Sequence, residues 1–125
     1  MMRLLLVVAL LLASSSAWAE WVRVGASKQS GVYYVDPATI KKDGHLRRAW
    51  GLTDLRVPDK DGDRSLLAYW EVDCKEMRLH TLQEDYFRGP MATGERTGGT
   101  KIPSPWAHVA PGTVGQDVQR FVCDE

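Results

Sequence analysis

Several things that would point to a familiar chemistry are missing from this 125-residue chain. Cysteine is nearly absent, with Cys74 and Cys123 alone, and no Cys follows the opening apolar run where a lipoprotein anchor would need one. Beyond residue 19 no stretch approaches the roughly 20 apolar residues of a membrane-spanning helix. There is no excess of positive charge, since 16 basic residues face 16 acidic ones, so an electrostatic footprint for nucleic acid is lacking. The three histidines, His45, His80 and His108, occupy separate segments with no zinc-type spacing. No phosphate-cradling glycine loop, nucleophile elbow or His-Glu-x-x-His pattern occurs. These absences lead to the expectation of a protein that is not an enzyme and carries no cofactor or metal.

What is present starts at the N-terminus. Arg3 precedes an unbroken apolar run from Leu4 to Ala13, three serines, and the small-x-small ending Ala17-Trp18-Ala19. This is the three-part pattern of a secretory signal peptide, so residues 1–19 are expected to be removed and residues 20–125 to form the exported domain. Taking 19 from 125 leaves 106 residues, enough for one domain with a thin core. Loss of Arg3 leaves 15 basic against 16 acidic residues. Two cysteines in an exported chain read as one bridge. Closing a loop of about 50 residues, it contributes on the order of 4 kcal/mol.

Strand patterns follow. Trp21–Ala26 and the dense run Val32–Val35 read as strands. Asp36-Pro37 signals a short helical turn capped by the Asp36 side chain, and Lys42-Asp43-Gly44 a hairpin-type turn. Residues 45–55 form a long strand whose even positions, Leu46, Trp50 and Leu52, suggest the covered face with Arg48 as its exception. Leu66, Ala68, Trp70, Val72 and Cys74 alternate on one face of the next strand, opposite Leu67, Tyr69, Glu71 and Asp73. Met77–Leu82 reads as a further strand with Arg78 and His80 projecting together. Gly89–Pro105, rich in Gly, Pro and Thr, is expected to hold little regular structure, with Trp106, His108 and Val109 a short anchor behind it. At the end, Thr113 is a plausible N-cap, and Val114, Val118, Phe121 and Val122 form a helical stripe. The fold class expected is α+β: an antiparallel sheet with a C-terminal helix on its apolar side, Cys123 meeting Cys74.

Asp59, Asp61 and Asp63 with Gly62 resemble the opening of a calcium loop, but the register fails. Arg64 stands where the sixth-position glycine belongs, and Trp70 where a bidentate Glu is needed at the twelfth. An acidic, solvated loop is expected instead.

Taken together, Trp21-Val22, Tyr34-Val35-Asp36-Pro37 with Ile40 and Gly44, Trp50, Asp73-Cys74, Arg78, Thr81, Tyr86, Trp106, Pro111 and Val122-Cys123 resemble the surface-adhesin protein E-like domain of Gram-negative bacteria. The resemblance implies the same sheet, helix and tether. It also implies a binding role toward host matrix and serum proteins such as vitronectin and laminin. The expectation is therefore a non-catalytic exported module, in the periplasm or at the cell surface, with no stable membrane anchor. Its partner would be a protein, and a homodimer is compatible with the pattern. Candidate partner-binding residues are Arg47, Tyr69, Arg78 and His80. The alternative is a periplasmic structural, accessory or inhibitor-type protein without an adhesin role.

Overall fold

The computed structural model describes residues 19–124; the signal-peptide reading falls, except for Ala19, outside them. Eight antiparallel strands form one sheet: β1 (Val22–Ser27), β2 (Gly31–Val35), β3 (Lys41–Asp43), β4 (Leu46–Leu55), β5 (Ser65–Asp73), β6 (Arg78–Phe87), β7 (Arg96–Thr100) and β8 (Ala107–His108). The main path runs β1-β2-β4-β5-β6-β7, with β3 paired to β4 and β8 to β6. Among the described residues one α-helix, α1 (Val114–Asp124), follows the sheet. No described helix is long and apolar enough to cross a membrane.

The local signals act where the sequence places them. Asp36 Oδ1 accepts the Ala38 backbone N–H and Pro37 opens a 3-10 turn. Gly44, with φ of +58°, makes the tight turn that pairs Asp43 with Leu46; its missing Cβ admits this left-handed geometry. Thr113 Oγ1 accepts the Gln116 N–H and Gln116 Oε1 accepts that of Gly112, a reciprocal cap on α1.

The core lies between α1 and one face of the sheet. Val35, Ala49, Ala68, Trp70, Val72, Val118 and Val122 bury together. The Cys74–Cys123 bridge ties the end of the helix to the sheet beside β5, with Cα atoms 5.9 Å apart. β5 presents the face that its alternation foretold, but β4 does not. Ala49 pairs with Trp70 and Gly51 with Ala68, so the odd positions of β4 lie under the helix. Small residues stand there because the Trp70 ring lies against Gly51. The bulky even positions, Trp50 and Leu52, face the other way.

Two further differences concern the second half of the chain. β6 continues past Leu82 to Phe87, and Gly89–Pro105 is not all irregular, since Arg96–Thr100 pairs with β6. Charged Glu84 and Asp85 and glycine-rich β7 carry little strand propensity; their ladder with each other places them in the sheet.

Candidate functional site

The face of the sheet away from α1 is built in rows, because paired residues in adjacent antiparallel strands stand side by side. One row is Leu46, Asp73 and Arg78; the next is Arg48, Glu71 and His80; the third is Trp50, Tyr69 and Gln83, after a bulge that passes over Leu82. The alternation of β5 makes these positions polar, and the register assembles them.

The middle row is a closed network. Glu71 Oε1 lies 2.8 Å from His80 Nε2, and its Oε2 accepts the Arg48 Nε–H at 2.7 Å. His80 Nδ1 lies 3.0 Å from the Ser104 carbonyl oxygen. Trp106 stacks on the imidazole with centroids 3.7 Å apart, and Arg78 covers that indole ring at 4.5 Å. Glu71 and His80 are buried. Burial pushes the Glu71 carboxyl upward, but the hydrogen bonds from His80 and Arg48, with their charges, outweigh it and hold the carboxyl below its ordinary range. The same bond raises the Arg48 guanidinium.

Asp73 anchors the first row. Its carboxylate accepts the backbone N–H of Glu76 and Lys75 and the Arg78 Nε–H at 3.2 Å. These bonds, the one from Glu76 first, hold its carboxyl below the usual range against the cost of burial, with His45 3.8 Å away adding to the effect. Farther along β6, Tyr86 donates to Glu84, and that bond together with burial pushes the phenol up to about 12.

The third row is partly exposed. Trp50 and Tyr69 stack at 4.9 Å with planes tilted by 31°. Trp50 also borders a depression of about 250 Å³ shared with Trp21, Leu67, Thr39 and Asp36. The Arg48 side chain next to it is 51% exposed. A partly exposed aromatic pair beside a cation, held on a braced sheet, offers contact area at small entropic cost.

Of the four candidate binding residues, the structure brings Tyr69, Arg78 and His80 onto this face. Arg47 pairs with Val72 on the helix side, where it donates to the Gly44 and Leu46 carbonyls. His80 supports the face from beneath and exposes little of itself. Trp21 and Arg48 join the surface without having been singled out for it. The signal for Arg48 was its charge on an otherwise apolar set of positions, which its Glu71 partner explains.

The carboxylates of Asp59, Asp61 and Asp63 come within 4.8 Å of one another. They serve the loop: Asp59 Oδ1 accepts the N–H groups of Asp61 and Asp63, and Asp63 accepts the Thr97 hydroxyl.

A disulfide-braced antiparallel sheet with one helix packed on a face defines an α+β domain. Residues 21–124 match the family model of surface-adhesin protein E, and the chain belongs to that family. The fold is similar to that of Haemophilus influenzae protein E. In its crystal form II, the TM-score is 0.66 at 16% identity, covering 87% of this chain and 91% of that one. Protein E from a non-typeable strain gives 0.62 at 18% identity, covering 88% and 79%. At such identities the likeness establishes the fold. No curated protein matches the sequence.

Proposed function

We propose that the protein is an exported, non-catalytic binding module that contacts host matrix or envelope proteins through the face formed by Trp50, Tyr69, Arg48 and Arg78. The observation that carries this reading is the division of labour on that face. Arg48 stands exposed and the aromatic pair partly so, while the groups that could do acid–base chemistry satisfy one another. Both His80 nitrogens have oxygen partners within the protein, and the imidazole lies under Trp106, so neither nitrogen is presented to a substrate. Family membership supports the adhesin role, and the N-terminal pattern supports export.

The test is binding of the purified mature protein to immobilised laminin, vitronectin and envelope extract, with Trp50→Ala and Tyr69→Ala alongside. Saturable binding weakened at least tenfold by either substitution, with the melting curve little changed, is expected. Absence of saturable binding to all three would overturn the proposal. Fractionation of cells then decides the compartment: surface exposure fits a matrix partner, and confinement to the periplasm an envelope one.

A further inference from the structure

A sheet edge offers a row of backbone N–H and C=O groups to any extended chain, and proteins ordinarily blunt such edges with charge, bulges or brevity. β3 is three residues long and carries Lys41 and Lys42. β7 pairs through an irregular register and contains Gly98 and Gly99. β1 is different. It ends the sheet with six residues, and Arg23 is its one charge. A register shift between Arg23 and Gly25 divides it, leaving Gly25–Ser27 as a regular run.

Beside this edge runs α1, in the opposite direction. Val114 and Gly115 lie near Ala26 and Ser27, Asp117 lies over Gly25, and Arg120, Phe121 and Asp124 lie beside Arg23 and Val24. Two hollows, of about 470 and 370 Å³, flank the point where Asp117 meets Gly25. A Cβ at Gly25 would come within 2.5 Å of Asp117 Oδ2, so the absent side chain is what lets the carboxylate sit against the strand. The half-buried Asp117 carboxylate has no hydrogen-bond or ion-pair partner among the described residues.

We propose that the β1 edge receives an extended segment of a partner protein as an added strand, with a Lys or Arg of that segment meeting Asp117 and an apolar side chain entering the hollow at Val24 and Phe121. An edge strand with a helix alongside supplies both parts of strand-addition recognition: main-chain bonds give affinity, and the cleft selects alternate side chains. A basic residue is favoured because it would pair a carboxylate that lacks a partner at the centre of the cleft. This surface is separate from the Trp50 face and does not depend on what that face binds.

The probe is the capped peptide Thr-Val-Thr-Lys-Thr-Val, whose Lys and both Val share one face, titrated into the isotope-labelled mature protein and followed through backbone amide shifts. Saturable shifts at Gly25–Ser27 and Asp117–Phe121 are expected. Exchanging the Lys for Glu should weaken binding at least tenfold, and Asp117→Asn should abolish that preference. Peptides N-methylated at alternate residues, in the two possible phases, should divide: one phase binds, the other loses at least tenfold, because a single edge of the peptide faces β1. No shifts at β1, equal binding in both phases, or shifts confined to the Trp50 face would each overturn the proposal. So would β1 shifts that grow with protein concentration in the absence of peptide, which would assign the edge to a second copy of the chain.

Discussion

Gly51 lies against Trp70: a Cβ built on it would collide with the indole ring. The contact fixes which side of β4 faces the helix, since no larger residue fits below that ring. Trp70 in turn fills the space between Ala49, Ala68 and the helix.

Gly51→Ala is therefore expected to destabilise the protein by about 3 kcal/mol, the upper range for overpacking a tight core. Urea unfolding of the mature protein measures it. In the double variant with Trp70→Leu, much of the loss caused by the alanine should disappear relative to Trp70→Leu alone. A cost below about 0.5 kcal/mol for the single change would show that the ring moves aside freely.

The segment leading into β8 is held to β6 by His80. Its imidazole meets the Ser104 carbonyl and stacks on Trp106, while Ser104 Oγ accepts the Thr81 N–H and the Ser104 N–H reaches the Thr81 carbonyl. His80→Ala should cost about 2 kcal/mol, because it removes the stack and leaves the buried Glu71 with one partner fewer. Amide hydrogen exchange should quicken across residues 101–108 before it changes in β4 or β5. Uniform quickening across the sheet would mean that the network serves the whole fold rather than this segment.

Acid should weaken the fold through Glu71 and Asp73. Both carboxyls are held below their ordinary range when folded, so each contributes stability above the unfolded carboxylate value, near pH 4, and loses it as pH falls toward the folded one. The urea midpoint should drop between pH 5 and pH 3. Glu71→Gln should lie below the parent at pH 7 and show a shallower drop. Parallel pH curves for the two proteins would exclude Glu71 as a source of the acid sensitivity.

The Cys74–Cys123 bridge spans 49 residues of chain. Replacing both cysteines with Ala should lower stability by about 4 kcal/mol, chiefly by freeing the unfolded chain. Because α1 is only 11 residues long, it is marginal without its tether. Helical circular dichroism should therefore melt ahead of the sheet signal in the variant, and together with it in the parent. Loss of less than about 1 kcal/mol would assign the hold on α1 to packing alone.

Much of this architecture could be read from single segments. The alternation from Leu66 to Cys74 identified the face of β5 that carries the core. The stripe Val114, Val118, Phe121 and Val122 identified α1, and two cysteines in an exported-type chain identified the tether. Asp36-Pro37 marked its turn, since a capping carboxylate and a fixed φ act within a few residues. These are local rules, and the sequence by itself determines them.

Register was decided elsewhere. Both sides of β4 carry apolar residues, and what selected between them was the Trp70 ring, 19 positions away in the chain, needing the space above Gly51. Glycine-rich β7 became a strand because β6 supplied partners for its backbone, a long-range pairing that leaves no local signal. Glu71, Asp73 and His80 had the appearance of a wet face, yet pairing across three strands buried them together. A one-residue shift in pairing turns every side chain of a strand to the opposite face, so the binding face of this protein exists only once β4, β5 and β6 have settled against one another.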